Sequence, residues 1–506
     1  MGKKNRGRKN KGGDGSDDEN SMDGNVDYLS ENHTIDGLLS NGGGGGGGGD
    51  NTTLGSMPDD ESWDIHDNDD EDGAYHKKGA TMSNELEAIE IRQQKLDDIL
   101  SSTVPEFASE KRSSKREAML KMWFKALTNY ATVPPYNVVE EYRDLLIKVC
   151  SQHAILRGSP SEQYAACRVL EAMAILIGDH DLYEQLVKRL TRTIQATHRA
   201  VPVRVAALRA LGMIVFCGIN GTDDVITESV LDLCEQIVQT EYRGQTTPSS
   251  LRAAAWQVWT LLATTIHELY VAGKDDVSIG RGLLLLPVIM ECLDQTTTDE
   301  QSLSLKEAAG QAMSYIHDAR LRLGSDALDG DVHKLENTTD LQYKLGSWEG
   351  SEWEGDVDEI TQTIYELANT SGHYLSKKAK KEQRYVFRDY LGMLQENEIP
   401  VETIQFRGGS LELSTYKDII AYDFVKRCLQ GGFQIQLLSN PTLQEIFGCD
   451  GSALGGSGGG YSQLEKRLLL GKTSEASKLK DQGRHKGRDK RQNVKNHFLT
   501  ADEEYF

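Results

Sequence analysis

Apolar residues recur at helical spacing through PVRVAALRALGMIVFCG, Pro202 to Gly218, at Val203, Ala206, Ala207, Ala210, Leu211, Ile214 and Val215. The stripe is wide enough to need cover on both flanks. A proline opens the stretch and Gly218 closes it, so the pattern predicts a buried helix. The Ala206-Ala207 pair puts small side chains where a second helix must come close. Four further stretches align on such a position: Ala118-Met119 in KREAMLKMWFKAL, Ala165-Ala166 in SEQYAACRVLEAMAIL, Ala254-Ala255 in SSLRAAAWQVWTLLA and Ala308-Ala309 in SLKEAAGQAMSYI. From Ala118 the successive spacings are 47, 41, 48 and 54 residues, close to the period of roughly 40 to 47 of HEAT and armadillo arrays. Partner helices are expected between them, at Val138 to Ile155, Asp181 to Thr197, Asp224 to Gln239 and Leu283 to Leu293. Each unit is then a helix pair that buries its face only by stacking on its neighbours.

The expected architecture is mainly α: an armadillo/HEAT-like α-solenoid over residues 84–370. It opens with a helix from Glu85 to Leu100, followed by a linker from Ser101 to Ser114. After about Leu323 the periodicity fades through Gly324 to Gly355, where Trp348 and Trp353 stand among acids. They either dock a basic partner or pack back on the last repeat, the preferred reading. Val357 to Asn369 reads as a closing helix. A small α+β module is expected at 376–448: an amphipathic helix with Val386, Phe387, Tyr390, Leu391 and Leu394 on one stripe, strands Val401 to Phe406 and Leu411 to Thr415 joined around Gly408-Gly409, a helix Tyr416 to Gln430, a third strand Phe433 to Leu438 and a short helix Pro441 to Phe447. Residues 449–506 read as a Gly-rich spacer and a basic tail.

Charge divides the remainder. Residues 1–11 hold six Lys or Arg and no acid, whereas Gly12 to His76 holds eighteen Asp or Glu and no Lys or Arg. With the Gly42 to Gly49 run, residues 1–82 are expected to be a disordered leader, and the C-terminal tail is expected to be disordered too. The seven Cys include no CxxC pair and fit buried thiols in a reducing compartment. No apolar signal segment precedes the leader, and LLLLPVIM is too short to span a bilayer. These features predict an intracellular protein without a membrane partner.

The strongest candidate chemistry is cationic. Lys377, Lys378, Lys380, Lys381, Arg384 and Arg388 crowd the start of one helix, where they oppose its dipole. The tail adds Lys466, Arg467, Arg484, Lys486, Arg488, Lys490, Arg491 and Lys495. Flexible cations neutralise phosphates and release counterions, and His485, His497, Phe498 and Tyr385 could stack on exposed bases. The bland alternatives are a solvated charged face or a nuclear import signal. Catalytic patterns fail on spacing. Gly471-Lys472-Thr473 lacks the upstream glycine of a phosphate loop, since Lys466 stands there, and His267-Glu268 lacks the second zinc-ligand histidine. No enzyme, metal, cofactor or small-molecule substrate is expected.

SKKAKKEQRYVFRDYLGML, PVETIQF, GGFQIQLLSNPTLQEIFG and the tail motif KGRDKRQNV resemble the interferon-related developmental regulator family, and the array resembles its armadillo-type domain. That resemblance implies a non-enzymatic regulator. One role it implies is ribosome or rRNA association that restrains translation in the cytoplasm, with a C-terminal segment in the mRNA path. The other is nuclear transcriptional co-regulation, in which the array recruits transcriptional regulators and other protein partners.

Overall fold

The computed structural model describes residues 82–131, 137–219, 223–273, 279–294, 300–329, 347–369, 377–406 and 409–448, all within one compact unit, Asp59–Phe506. The leader and the tail from residue 449 lie outside the described residues.

A first row of helices follows the small-residue positions: α2 (Ser113–Tyr130), α5 (Pro160–Ile177), α7 (Val201–Gly218), α9 (Ser249–Ala263) and α12 (Glu300–Asp329). Each packs on the next. Ala165, Ala166, Ala206, Ala207, Ala254, Ala255, Ala308 and Ala309 are all buried there. In the first unit Ala118 is exposed instead, and Leu120, Trp123, Phe124 and Leu127 take its place in the core. Between the row members sit α1 (Met82–Phe107), α3 (Asn137–Lys148), α4 (Ile155–Arg157), α6 (His180–Gln195), α8 (Asp224–Ile237), α10 (Glu268–Ala272), α11 (Leu286–Leu293) and α13 (Glu354–Asn369). Helix α1 runs seven residues beyond the expected Leu100 and takes up half of the expected linker. A π-helix, Val149–Ala154, joins α3 to α4.

Helix α7 is long and apolar enough to cross a membrane, yet 14 of its 18 residues are buried against α5, α6 and α9. It is the core helix of a stacked array. The tryptophans follow the preferred reading: Trp348 donates its indole N–H to His317 Nδ1 at 2.7 Å and lies under Arg320 at 4.4 Å, while Trp353 packs against the core.

The C-terminal region begins with α14 (Lys377–Glu396), followed by a hairpin of two strands, βA (Glu402–Phe406) and βB (Gly409–Leu413). They pair antiparallel, with Phe406 opposite Gly409, and the second strand starts two residues earlier than expected. Thr415 then caps α15 (Tyr416–Leu429) in a reciprocal box with Asp418. The expected third strand is a helix, α16 (Phe433–Ser439), followed by α17 (Pro441–Ile446).

These last helices do not form a core of their own. They lie along the first row and share its core. Helix α15 contacts α12, α9 and α5, α16 contacts α2, and α17 contacts α5. The contacts are specific. Lys417 pairs with Glu268 at 2.8 Å, and Arg427 donates to Gln257 at 3.3 Å. Arg168, paired with the fully buried Glu171, donates to the Cys428 carbonyl at 3.1 Å. Gln436 donates to the Thr128 and Ala131 carbonyls at the end of α2, groups a helix leaves without partners. Gly432 permits this approach, because a Cβ there would sit 2.4 Å from the Thr128 carbonyl oxygen.

Candidate nucleic-acid interface

Helix α14 presents the predicted cations. Its buried side carries Gln383, Phe387, Tyr390 and Met393, spaced so that they share one stripe against α12 and α13. Phe387 and Tyr390 meet edge to face with centroids 5.7 Å apart. Gly310 on α12 makes the hollow for Tyr390, whose ring would lie 2.7 Å from a Cβ at that position. The helix is therefore held in one rotation about its axis, and its opposite side is fixed in solvent.

On that opposite side Lys381, Tyr385 and Arg388 follow one another at i, i+4 and i+7, and all three are exposed, Tyr385 at 66%. Lys380 and Arg384 are half-buried at the edges of the stripe. The Arg384 Nε is buried without a hydrogen-bond acceptor among the described residues. Lys377 and Lys378 form the first turn, which holds no acid, so cations stand at the positive end of the helix dipole. The cationic character ends after three turns. Asp389 holds the Tyr385 hydroxyl above its usual range, with burial and Glu402 adding to the effect. Burial and Glu402 in turn push the Asp389 carboxyl up to about 6. The adjoining α13 is of opposite sign, with Asp356, Asp358, Glu359 and Glu366 exposed.

Lys466, Arg467, Arg484, Lys486, Arg488, Lys490, Arg491 and Lys495 lie outside the described residues. The described chain ends at Gly448, just after Asn440 donates to the Ile175 carbonyl of α5 at 2.8 Å. Helix α14 thus packs on α12 and α13, whereas the described chain ends close to α5.

One basic feature was not anticipated. A groove of about 310 Å³ is lined by Gln152, His153, Leu156, Arg157 and Arg189. Its only sequence signal is a pair of acid-free stretches, Val149 to Gly158 and Gln185 to Ala200. Among the described residues no three His, Cys, Asp or Glu group as a metal site. The six described cysteines are buried, and burial pushes the Cys167 and Cys217 thiols up to about 12.

The family model described as interferon-related developmental regulator matches residues 62–395, which include the array and all of the basic end of α14. Interferon-related developmental regulator 1 of Mus musculus is 24% identical over 441 residues, covering 83% of this chain and 86% of its own length. The Homo sapiens protein of that name is 24% identical over 445 residues, covering 84% and 86%. Interferon-related developmental regulator 2 of Mus musculus is 23% identical over 370 residues, covering 70% and 74%. A match of this extent, on an array of stacked helix pairs, shows that the chain belongs to the interferon-related developmental regulator family.

Proposed function

We propose that this protein is a non-enzymatic regulator that binds ribosomes or RNA through its basic C-terminal region and restrains translation, with the helical array as its scaffold. The observation that carries this reading is the exposed Lys381, Tyr385 and Arg388 stripe. Two cations flanking an aromatic ring match a phosphate backbone with an unstacked base between. Cations at a helix start do not help the helix itself, which favours an anionic partner over a structural role. The names of the relatives, all regulators, favour regulation over catalysis.

The test is sedimentation of a lysate on a sucrose gradient, with and without RNase. The intact chain is compared with a 462–506 deletion and with a Lys381→Glu, Arg388→Glu variant. The intact chain should run with ribosomal fractions and leave them after RNase, and both altered chains should shift towards the top. If every form stays at the top at moderate salt, the reading fails. A nuclear co-regulator that gathers protein partners on the array would then replace it, and tail-dependent nuclear accumulation would be its signature.

A further inference from the structure

The groove between α4 and α6 lies on the array. We propose that it seats the phosphodiester backbone of RNA, as a second contact that orients the array on the same polymer. This rests on the RNA-binding reading above and adds a site to it.

The groove is built by an irregularity. In the π-helix Val149–Ala154 the backbone follows i→i+5 bonding, with the Ile155 N–H donating to the Cys150 carbonyl. Such wide turns recur at functional positions. This one leads Gln152 and His153 into the same hollow as Leu156 and Arg157, with Arg189 of α6 closing it. Arg192 is exposed three residues further along α6, and Lys188 is exposed beside Arg189.

On the flanking elements Glu162 pairs with Arg116 at 2.8 Å and Asp179 with Arg143 at 2.6 Å, while Asp181 and Glu184 near the start of α6 are exposed. Arg157, Lys188, Arg189 and Arg192 form no ion pair with a described carboxylate. Arg199 is used differently: it ties the Ile155 carbonyl to Gln163, at 2.8 and 2.7 Å. A structural explanation covers Arg192, which stands in the last turn of α6 and meets the negative end of the dipole. It does not cover Lys188 and Arg189, which lie earlier in the helix.

The chemistry of the lining chooses the ligand. Two guanidiniums offer planar, paired N–H donors that match phosphate oxygens, and the imidazole adds a single further one. Leu156 is the single aliphatic side chain in the lining, which gives an acidic peptide little to anchor its side chains. A run of phosphates needs only the cations.

The test measures binding of a fluorescein-labelled single-stranded RNA 20-mer to the full chain by anisotropy, over a range of salt. Arg157→Gln with Arg189→Gln should weaken binding about tenfold and flatten the log–log salt slope by about 1.4, at about 0.7 for each phosphate lost. Removing two cations elsewhere, Arg243→Gln with Lys426→Gln, should change neither quantity, and melting should show all variants folded. An unchanged affinity and slope for the groove variant overturns the proposal. So does displacement of the RNA by poly-glutamate at equal charge concentration, which would assign the groove to an acidic polypeptide. The C-terminal reading is judged separately in the same assay. If the 462–506 deletion and the Lys381→Glu, Arg388→Glu variant bind RNA normally while the groove variant does not, that reading fails and the groove stands. If only the C-terminal changes weaken binding, the groove proposal is the one that fails.

Discussion

Glu402–Phe406 and Phe433–Ser439 both alternate apolar and polar side chains, yet the first is a strand and the second a helix. The strand meets its partner Gly409–Leu413 immediately, through five paired positions, so its backbone groups are satisfied locally. The second segment has no strand edge beside it. Its residues also carry a helical stripe, with Phe433, Gln436, Leu437 and Asn440 all buried. That stripe fits the surface of the first row. The Phe433 ring stands edge-on to Tyr422 at 5.2 Å and to Phe447 at 6.1 Å, and Gln436 reaches the open end of α2. Alternation alone does not choose between the two states. The neighbour that supplies hydrogen-bond partners does.

Attachment of the C-terminal segment to the row can be broken at several points, with graded effects. The largest is expected from Glu171→Ala, which leaves Arg168 buried beside the α15 carbonyls without its carboxylate. Removing one member of a buried pair costs about 3–5 kcal/mol, read as a lowered denaturation midpoint and faster proteolysis after Gly448. A Arg168→Met, Glu171→Leu double variant should recover much of that loss, because it removes both charges together. Gly432→Ala should follow at about 1–3 kcal/mol, since the neighbouring atom is backbone and cannot swing aside. Gln436→Leu deprives two end carbonyls of α2 of their donor and should cost about 1–2 kcal/mol by the same melt.

The hairpin side of the comparison responds to pH. The Asp389 carboxyl sits at about 6 through burial and Glu402 of βA, above its ordinary value of 3.8. The folded chain therefore binds more protons than the unfolded chain between those values, and this contribution to stability falls as pH rises from about 4 through 6. Asp389→Asn should flatten that part of a stability–pH curve; an unchanged slope would show that the carboxyl titrates normally. The smallest effect belongs to Thr403→Ala on the exposed face of βA, within about 0.5 kcal/mol.

The first row was legible because close helix approach demands small residues at a fixed repeat, and four of the five aligned positions bury them. The first unit departs: Ala118 is exposed there, and Trp123, donating to Thr103 at 2.6 Å, is buried instead. The exposed stripe on α14 was legible for a related reason: Phe387 and Tyr390 fix the buried side, and the cations follow on the other. The return of the C-terminal helices was not legible. Its anchors join residues 149 to 308 positions apart, and a glutamine that caps a distant helix resembles any other glutamine in the chain. The groove was hidden for the same reason, since its arginines belong to helices 32 residues apart in sequence and neither stretch is unusual alone.

An array whose units touch only their neighbours can form from either end and stop at any point. Here a late helix, α16, fastens to α2, the earliest member of the row, so the first unit is completed only by residues around Gln436. During synthesis the α2 carbonyls wait for Gln436, and Arg168, already paired with Glu171, lacks the Cys428 carbonyl until then. Closing so long a loop is entropically slow. A nascent or truncated chain lacking that segment exposes a row of apolar side chains, and chaperones would be expected to hold it until the segment arrives.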